Sequence, residues 1–122
     1  MAGHITIGAQ GEEIAGRYLL SKKYKILHCN YRCRYGEIDI IARQKKVLVF
    51  VEVKTRRTNT FGSPLEAVSL KKQRAISAVA QEYLQHACLN DSAARFDVIA
   101  VHLNSDNPEI EHIKNAFELP EH

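Results

Sequence analysis

Apolar residues in the first part of the chain recur at helical spacing. Between about Gly8 and Lys22, the residues Ile14, Ala15, Tyr18 and Leu19 form one stripe, which predicts an amphipathic helix. Glu12 and Glu13 fall in its early turns and Lys22 and Lys23 at its end, the order that complements a helix dipole. The period then drops to two. Lys25 to Cys33 reads as a strand, Tyr35-Gly36 as a turn, and Glu37 to Arg43 as a second strand. Strict alternation puts Ile38 and Ile40 on one face and Glu37, Asp39 and Ile41 on the other. The short polar link Gln44-Lys45-Lys46 predicts a hairpin into Val47 to Thr55. There Leu48, Phe50, Glu52 and Lys54 share one face, and Val47, Val49, Val51 and Val53 the other. Both faces are apolar along the first half, the pattern of a central strand covered on both sides.

Arg56 to Gly62 is a polar loop. Ser63-Pro64-Leu65-Glu66 carries a helix-start signal, with a capping serine, a proline at the first helical position and a glutamate three residues on. A helix in one or two pieces is expected through about Ala87, with Val68, Ala75, Ile76, Val79, Ala80, Tyr83 and Leu84 on its apolar face. Leu89 to Ala94 is a loop, Arg95 to Leu103 a strand, Asn104 to Pro108 a turn, and Ile110 to Phe117 a weaker edge strand. The order α-β-β-β-α-β, with an optional last strand, predicts an α/β domain whose mixed sheet is flanked by helices. The 122 residues fit one domain, residues 1–122, with its core at about 8–117.

Composition adds limits. A 45% hydrophobic and 25% charged chain is an ordinary globular one, which argues against a disordered or fibrous class. The net charge of +3 permits nucleic-acid binding without demanding it. No apolar run approaches the roughly 18 residues of a membrane span, and no secretory signal opens the chain. The cytoplasm is the expected location, with no membrane partner. Three cysteines, an odd number, make no disulfide framework. Cys29 and Cys33 would share a strand face as buried structural thiols; zinc lacks a second ligand pair at suitable spacing.

The candidate chemistry lies in Val-Phe-Val-Glu-Val-Lys. Glu52 and Lys54 interrupt an otherwise buried strand, and charge there is costly unless paired, solvated or bound to metal. They project from one face, two residues apart. Glu37 and Asp39 share a face on the neighbouring strand. Carboxylates from two strands beside a lysine suit a hard cation such as Mg2+, which takes oxygen ligands and activates water for attack on phosphorus. A cross-strand ion pair of Lys54 with Asp39 or Glu37 accounts for the same periodicity, and the pattern alone leaves both readings standing. Arg56 and Arg57 follow in a loop, as phosphate contacts or solvated charge. Lys71, Lys72 and Arg74 read partly as a solvated helix face, with one or two DNA-backbone contacts among them. Tyr31, Tyr35 and Phe61 are better read as packing residues than as base-stacking ones.

Asp39, Glu52 and Lys54 form a D-x12-E-x-K pattern that resembles the PD-(D/E)xK nuclease signature. The fuller set resembles the YraN-like family of small bacterial proteins over nearly the whole chain. It comprises Gly8, Gly11-Glu12, Gly36-Glu37-Ile38-Asp39, Phe50 to Arg56, Phe61-Gly62-Ser63-Pro64, Lys71 and Arg95-Phe96-Asp97-Val98. That family is similar to archaeal Holliday-junction resolvases and RecB-type nuclease domains. The resemblance implies a restriction-endonuclease-like fold and a Mg2+-dependent endonuclease, with Mn2+ as an alternative ion, acting on DNA. It makes Asp39 and Glu52 metal-binding acids, Glu12 a further acid of the metal shell, Val53 a backbone-carbonyl ligand and Lys54 the residue that assists the attacking water. Ile38 stands where the signature has proline. The resemblance to junction resolvases also raises a homodimer as an expectation. The rival readings are a non-catalytic nucleic-acid-binding module with a vestigial site, and a protein–protein adaptor.

Overall fold

The computed structural model describes residues 6–57, 68–89, 91–103 and 106–118. Within them the chain forms α1 (Ile7–Ser21), β1 (Lys25–Cys33), β2 (Gly36–Gln44), β3 (Val47–Arg56), α2 (Leu70–His86), β4 (Ala93–His102) and β5 (Glu109–Phe117). The strands make one sheet in sequence order. β3 and β4 are parallel with α2 between them in sequence, and the other neighbouring pairs are antiparallel. The expected α/β domain with an α-β-β-β-α-β core is thus observed, and the optional last strand is present at the edge.

Each helix begins on a hydroxyl. Thr6 Oγ1 accepts from the Ala9 N–H at 3.1 Å, and Ser69 Oγ accepts from the Lys72 N–H at 3.2 Å, satisfying donors that a helix start leaves free. The Ser63-Pro64 start signal and Phe61 lie outside the described residues. The helices cover opposite faces of the sheet. α1 sets Ala15 and Leu19 among Ile40, Ala42, Val49, Val51, Val53, Ile99 and Val101. α2 sets Ile76, Val79, Ala80, Tyr83 and Leu84 among Ile38, Ile41, Leu48, Phe50, Phe96 and Val98. β3 is therefore buried on both sides, as its doubly apolar pattern predicts. Tyr31 packs edge-to-face on Tyr83 with ring centroids 5.2 Å apart, in the packing role expected of it.

Strict alternation fails in the β1–β2 hairpin. Ile38 lies with Ile41 on the α2 face, whereas Ile40 lies with Ala42 on the α1 face. The expected pairing of Ile38 with Ile40 on one face is thereby overturned. Opposite the slip stands Asn30, whose φ of 54° is left-handed; short polar Asn tolerates that region better than most residues. The same reversal separates the two cysteines. Cys29 is exposed and lines a hollow beside α1, while Cys33 is half-buried against the α2-side core. They are not a buried pair on one face.

A polar network ties α1 to the far edge of the sheet. Asp97 is fully buried on β4. Its carboxylate accepts from Arg95 Nε at 3.0 Å and from the Asn115 N–H at 3.0 Å, and pairs with His112 Nε2 at 2.7 Å. Burial alone would raise the Asp97 pKa, but the bonds from His112, Arg95 and Asn115 outweigh it and hold the carboxyl below its ordinary value. Asp97 is therefore an acceptor, so His112 Nε2 carries the proton, and in the neutral ring Nδ1 accepts from the Tyr18 hydroxyl at 3.0 Å. Arg95 also donates to the Tyr24 hydroxyl at 2.7 Å. Removing one partner of a buried pair leaves the other charge uncompensated, so Asp97→Asn should cost about 3–5 kcal/mol at pH 7. A depressed folded pKa adds stability that is present above the unfolded value and is lost as pH falls through the folded one. The gap between wild type and Asp97→Asn in urea unfolding should accordingly be widest near neutrality and narrow below a pH of about 4.

Candidate active site

The candidate site begins where β2 leaves β3. Their register runs from Gln44↔Val47 to Ile40↔Val51 and goes no further, while β2 stays paired with β1 as far as Cys33↔Gly36. Past that point the Val53 N–H donates to Asp39 Oδ2 at 2.8 Å. A side-chain carboxylate thus takes a donor beyond the end of the backbone ladder, and β2 can diverge without leaving that amide unsatisfied.

Glu52 lies one residue before Val53 on β3 and is only 5% exposed. Its carboxylate is within hydrogen-bonding reach of Asp39. Burial first, and then the hydrogen bond and repulsion from Glu52, push the Asp39 pKa up to about 8, against the opposing effect of the Val53 N–H. Asp39 is thereby held well above the ordinary carboxylate range. Glu52 Oε2 also meets Lys72 Nζ from α2 in a close ion pair, and Lys54 Nζ lies 3.8 Å away. The two lysines are driven apart. Burial and the neighbouring Lys72 lower the Lys54 pKa, with Glu52 and Asp39 only partly offsetting them. Burial would lower Lys72 too, but its bond to Glu52 prevails and raises it.

Glu12 approaches from α1. Burial raises its pKa; an Asn30 hydrogen bond works against that, and the Glu37 and Glu52 charges add to it. It lines a hollow of about 220 Å³ with Ala9, Glu13, Cys29, Asn30 and Ile40. Glu37 forms a cross-strand pair with Arg32, its register partner, at 3.2 Å. Arg56 ends β3 and Arg57 is exposed just beyond.

Asp39, Glu52 and Lys54 are thus brought together as the sequence pattern implies, with Glu12 in electrostatic range. Lys71 is exposed, and it is the adjacent Lys72 that reaches Glu52. Lys72 is thus more than part of the solvated helix face expected from its cationic neighbours. The signal was available: Lys72 stands four residues before Ile76 and eight before Ala80, on the stripe that α2 buries. Asn30 was missed as well, because a left-handed residue inside a strand leaves no trace in hydrophobic periodicity.

The donor set suits a hard dication. The raised pKa of Asp39 beside Glu52 favours its protonated form, and an ion that prefers oxygen would displace that proton. Among the described residues no group of three or more His, Cys, Asp or Glu side chains is gathered closely enough to hold a metal unaided. Asp39 and Glu52 would therefore need water or substrate oxygens to complete a shell.

Gly11 sets the approach of Glu12. A Cβ at Gly11 would lie 1.7 Å from Thr55 Oγ1 and 2.8 Å from Thr55 Cβ, so α1 crosses β3 as closely as it does only because that atom is absent. Gly11→Ala should cost about 1–3 kcal/mol in urea unfolding. Combining it with Thr55→Ala removes the nearest atom and should recover part of that loss, a non-additive pair.

The family model described as "Uncharacterised protein family UPF0102" matches residues 11–101. A UPF0102 protein of Geotalea uraniireducens is 52% identical over 97% of this chain and 94% of its own length. One from Geobacter sulfurreducens is 54% identical over 93% of this chain and 89% of its own. One from Rhodococcus opacus is 46% identical over 96% of this chain and all of its own. With a family model across most of its length and relatives near half identity along nearly all of it, the chain belongs to the UPF0102 family, the YraN-like proteins resembled by its motifs.

Proposed function

We propose that this protein is a metal-dependent endonuclease that hydrolyses phosphodiester bonds in DNA. The observation that carries the reading is the juxtaposition of half-buried Asp39, its pKa pushed up to about 8, with buried Glu52 beside a lysine of lowered pKa. A structural salt bridge needs one acid and one base, and it gives no reason to bury two acids together. Asp39 and Glu52 would hold a Mg2+ or Mn2+ ion, with the Val53 carbonyl and Glu12 as further oxygen donors. When bound, such an ion polarises phosphoryl oxygens and lowers the pKa of water. Lys72 makes the closer pair with Glu52 on the α2 side, and Lys54, 3.8 Å from the same carboxylate, is the more loosely held cation. Its lowered pKa suits a group that orients the attacking water and takes its proton. Arg56, Arg57 and Lys71 would contact flanking phosphates. The kinship of the signature with junction resolvases favours branched or recombination-related DNA, cut by a homodimer.

The close Glu52–Lys72 pair favours a second reading. An acid already neutralised by a lysine can be the relic of a metal site in a protein that only binds nucleic acid. A panel of linear, flapped, forked and four-way DNA incubated with Mg2+ or Mn2+ separates the two. Cleavage that requires metal and drops at least about 100-fold in Lys54→Ala is expected. Absence of cleavage on every substrate, with salt-dependent binding that survives Glu52→Ala, would establish the relic instead.

A further inference from the structure

We propose that the end of the sheet opposite the carboxylates is a second nucleic-acid-binding surface, one that grips the phosphate backbone of duplex DNA. The inference goes beyond the cleavage reading and does not depend on it. Val47 begins β3 at this end, and Glu52 lies roughly 17 Å further along the strand at ordinary strand rise.

Topology gathers cations here from separate parts of the chain. The turn after α1 supplies Lys22 and Lys23, and Lys25 begins β1. Arg43 stands directly opposite Lys25, and Gln44↔Val47 closes a turn whose two residues are Lys45 and Lys46. Lys114 arrives on β5 and, with Lys22, borders a hollow of about 240 Å³ that also contains Tyr18, Tyr24 and His112. Arg43, Lys45 and Lys46 border another of about 200 Å³. None of these seven cations forms an ion pair with a described residue, whereas Arg17, Arg32, Lys54, Lys72 and Arg95 each pair with an acid.

The arrangement is unfavourable for the isolated protein. Like charges directly opposite across strands repel, as Lys25 and Arg43 do. Lys23 has a φ of 69° and Lys45 a φ of 55°, left-handed positions that glycine or asparagine would occupy more easily. Complementing the α1 dipole accounts for Lys22 and Lys23, but not for the hairpin cations. A polyanion relieves the charge repulsion, and its contacts give a reason for lysine rather than glycine at the two left-handed positions. The charges are spread along an edge and around two hollows, which suits successive backbone phosphates better than one compact anion. A lipid surface would also want an apolar face to insert, and the only large exposed apolar side chain described near this end is Leu20.

The test is fluorescence anisotropy on a labelled duplex in EDTA, where metal-dependent cleavage cannot occur, over a range of KCl concentrations. Wild type is compared with Lys23→Gly/Lys45→Gly and with a charge-matched control, Arg17→Gln/Arg34→Gln. The glycine pair should weaken binding about fivefold or more and reduce the slope of log K against log salt by about 2, one phosphate contact per lysine. Its melting temperature should equal or exceed that of wild type, because glycine fits both positions. The control should stay within about twofold of wild type. Lys25→Ser/Lys46→Ser, which leaves the left-handed positions untouched, should repeat the loss. Equal losses in glycine pair and control, no loss in either the glycine or the serine pair, or binding to phosphatidylglycerol vesicles but not to duplex, would each overturn the proposal. Failure of cleavage in Mg2+ would leave the binding result standing and count against the nuclease reading alone.

Discussion

The hydrogen bond from the Val53 N–H to the Asp39 carboxylate holds the candidate site together. It stands just beyond the last β2–β3 pair, where an unsatisfied buried amide would cost on the order of 1–3 kcal/mol. By accepting that donor, Asp39 lets β2 part from β3 and at the same time fixes its own carboxyl beside Glu52. The feature that ends the ladder is therefore the feature that builds the site. The consequence is electrostatic: half-buried Asp39 stands so close to buried Glu52 that its pKa rises to about 8, and the surrounding lysines divide into one tied to Glu52 and one held at lowered pKa.

The rest of the fold serves this arrangement from both faces. α2 stands between the parallel strands β3 and β4 in sequence, and its first turns bring Lys72 to Glu52. α1 lies on the other face, and the missing Cβ of Gly11 lets it run close to Thr55, so that Glu12 comes within range of the acids. The buried Asp97 network anchors the opposite end of α1 through Tyr18 and His112. α1 is thus held near both ends, by close packing at one and by a polar network at the other. No described helix is long and apolar enough to cross a membrane.

Much of this was legible in the chain. The helical stripe of Ile14, Ala15, Tyr18 and Leu19 and the doubly apolar run from Val47 located α1 and the central strand, because both patterns are local and each follows one period. Asp39, Glu52 and Lys54 were legible as a pattern, because charge inside a buried strand stands out. The lost information is non-local. The slip between Ile38 and Ile40 depends on Asn30 across the hairpin and on the point where β3 pairing ends, neither of which alternation can register. No local pattern marks His112, since its partners Asp97 and Tyr18 are 15 and 94 residues away in sequence. Lys72 was hidden by its cationic neighbours, and only its place on the buried stripe of α2 distinguishes it from Lys71.

The central claim is that Asp39 and Glu52 are held together for a divalent cation. Calorimetric titration of Mn2+ into the DNA-free protein near pH 7, in two buffers of different ionisation enthalpy, tests it most directly. The account predicts saturable binding of an ion that releases close to one proton, the one that the raised pKa of Asp39 retains, with both binding and release lost in Asp39→Asn. Absence of binding at millimolar Mn2+, or binding that Asp39→Asn leaves unchanged, would contradict it.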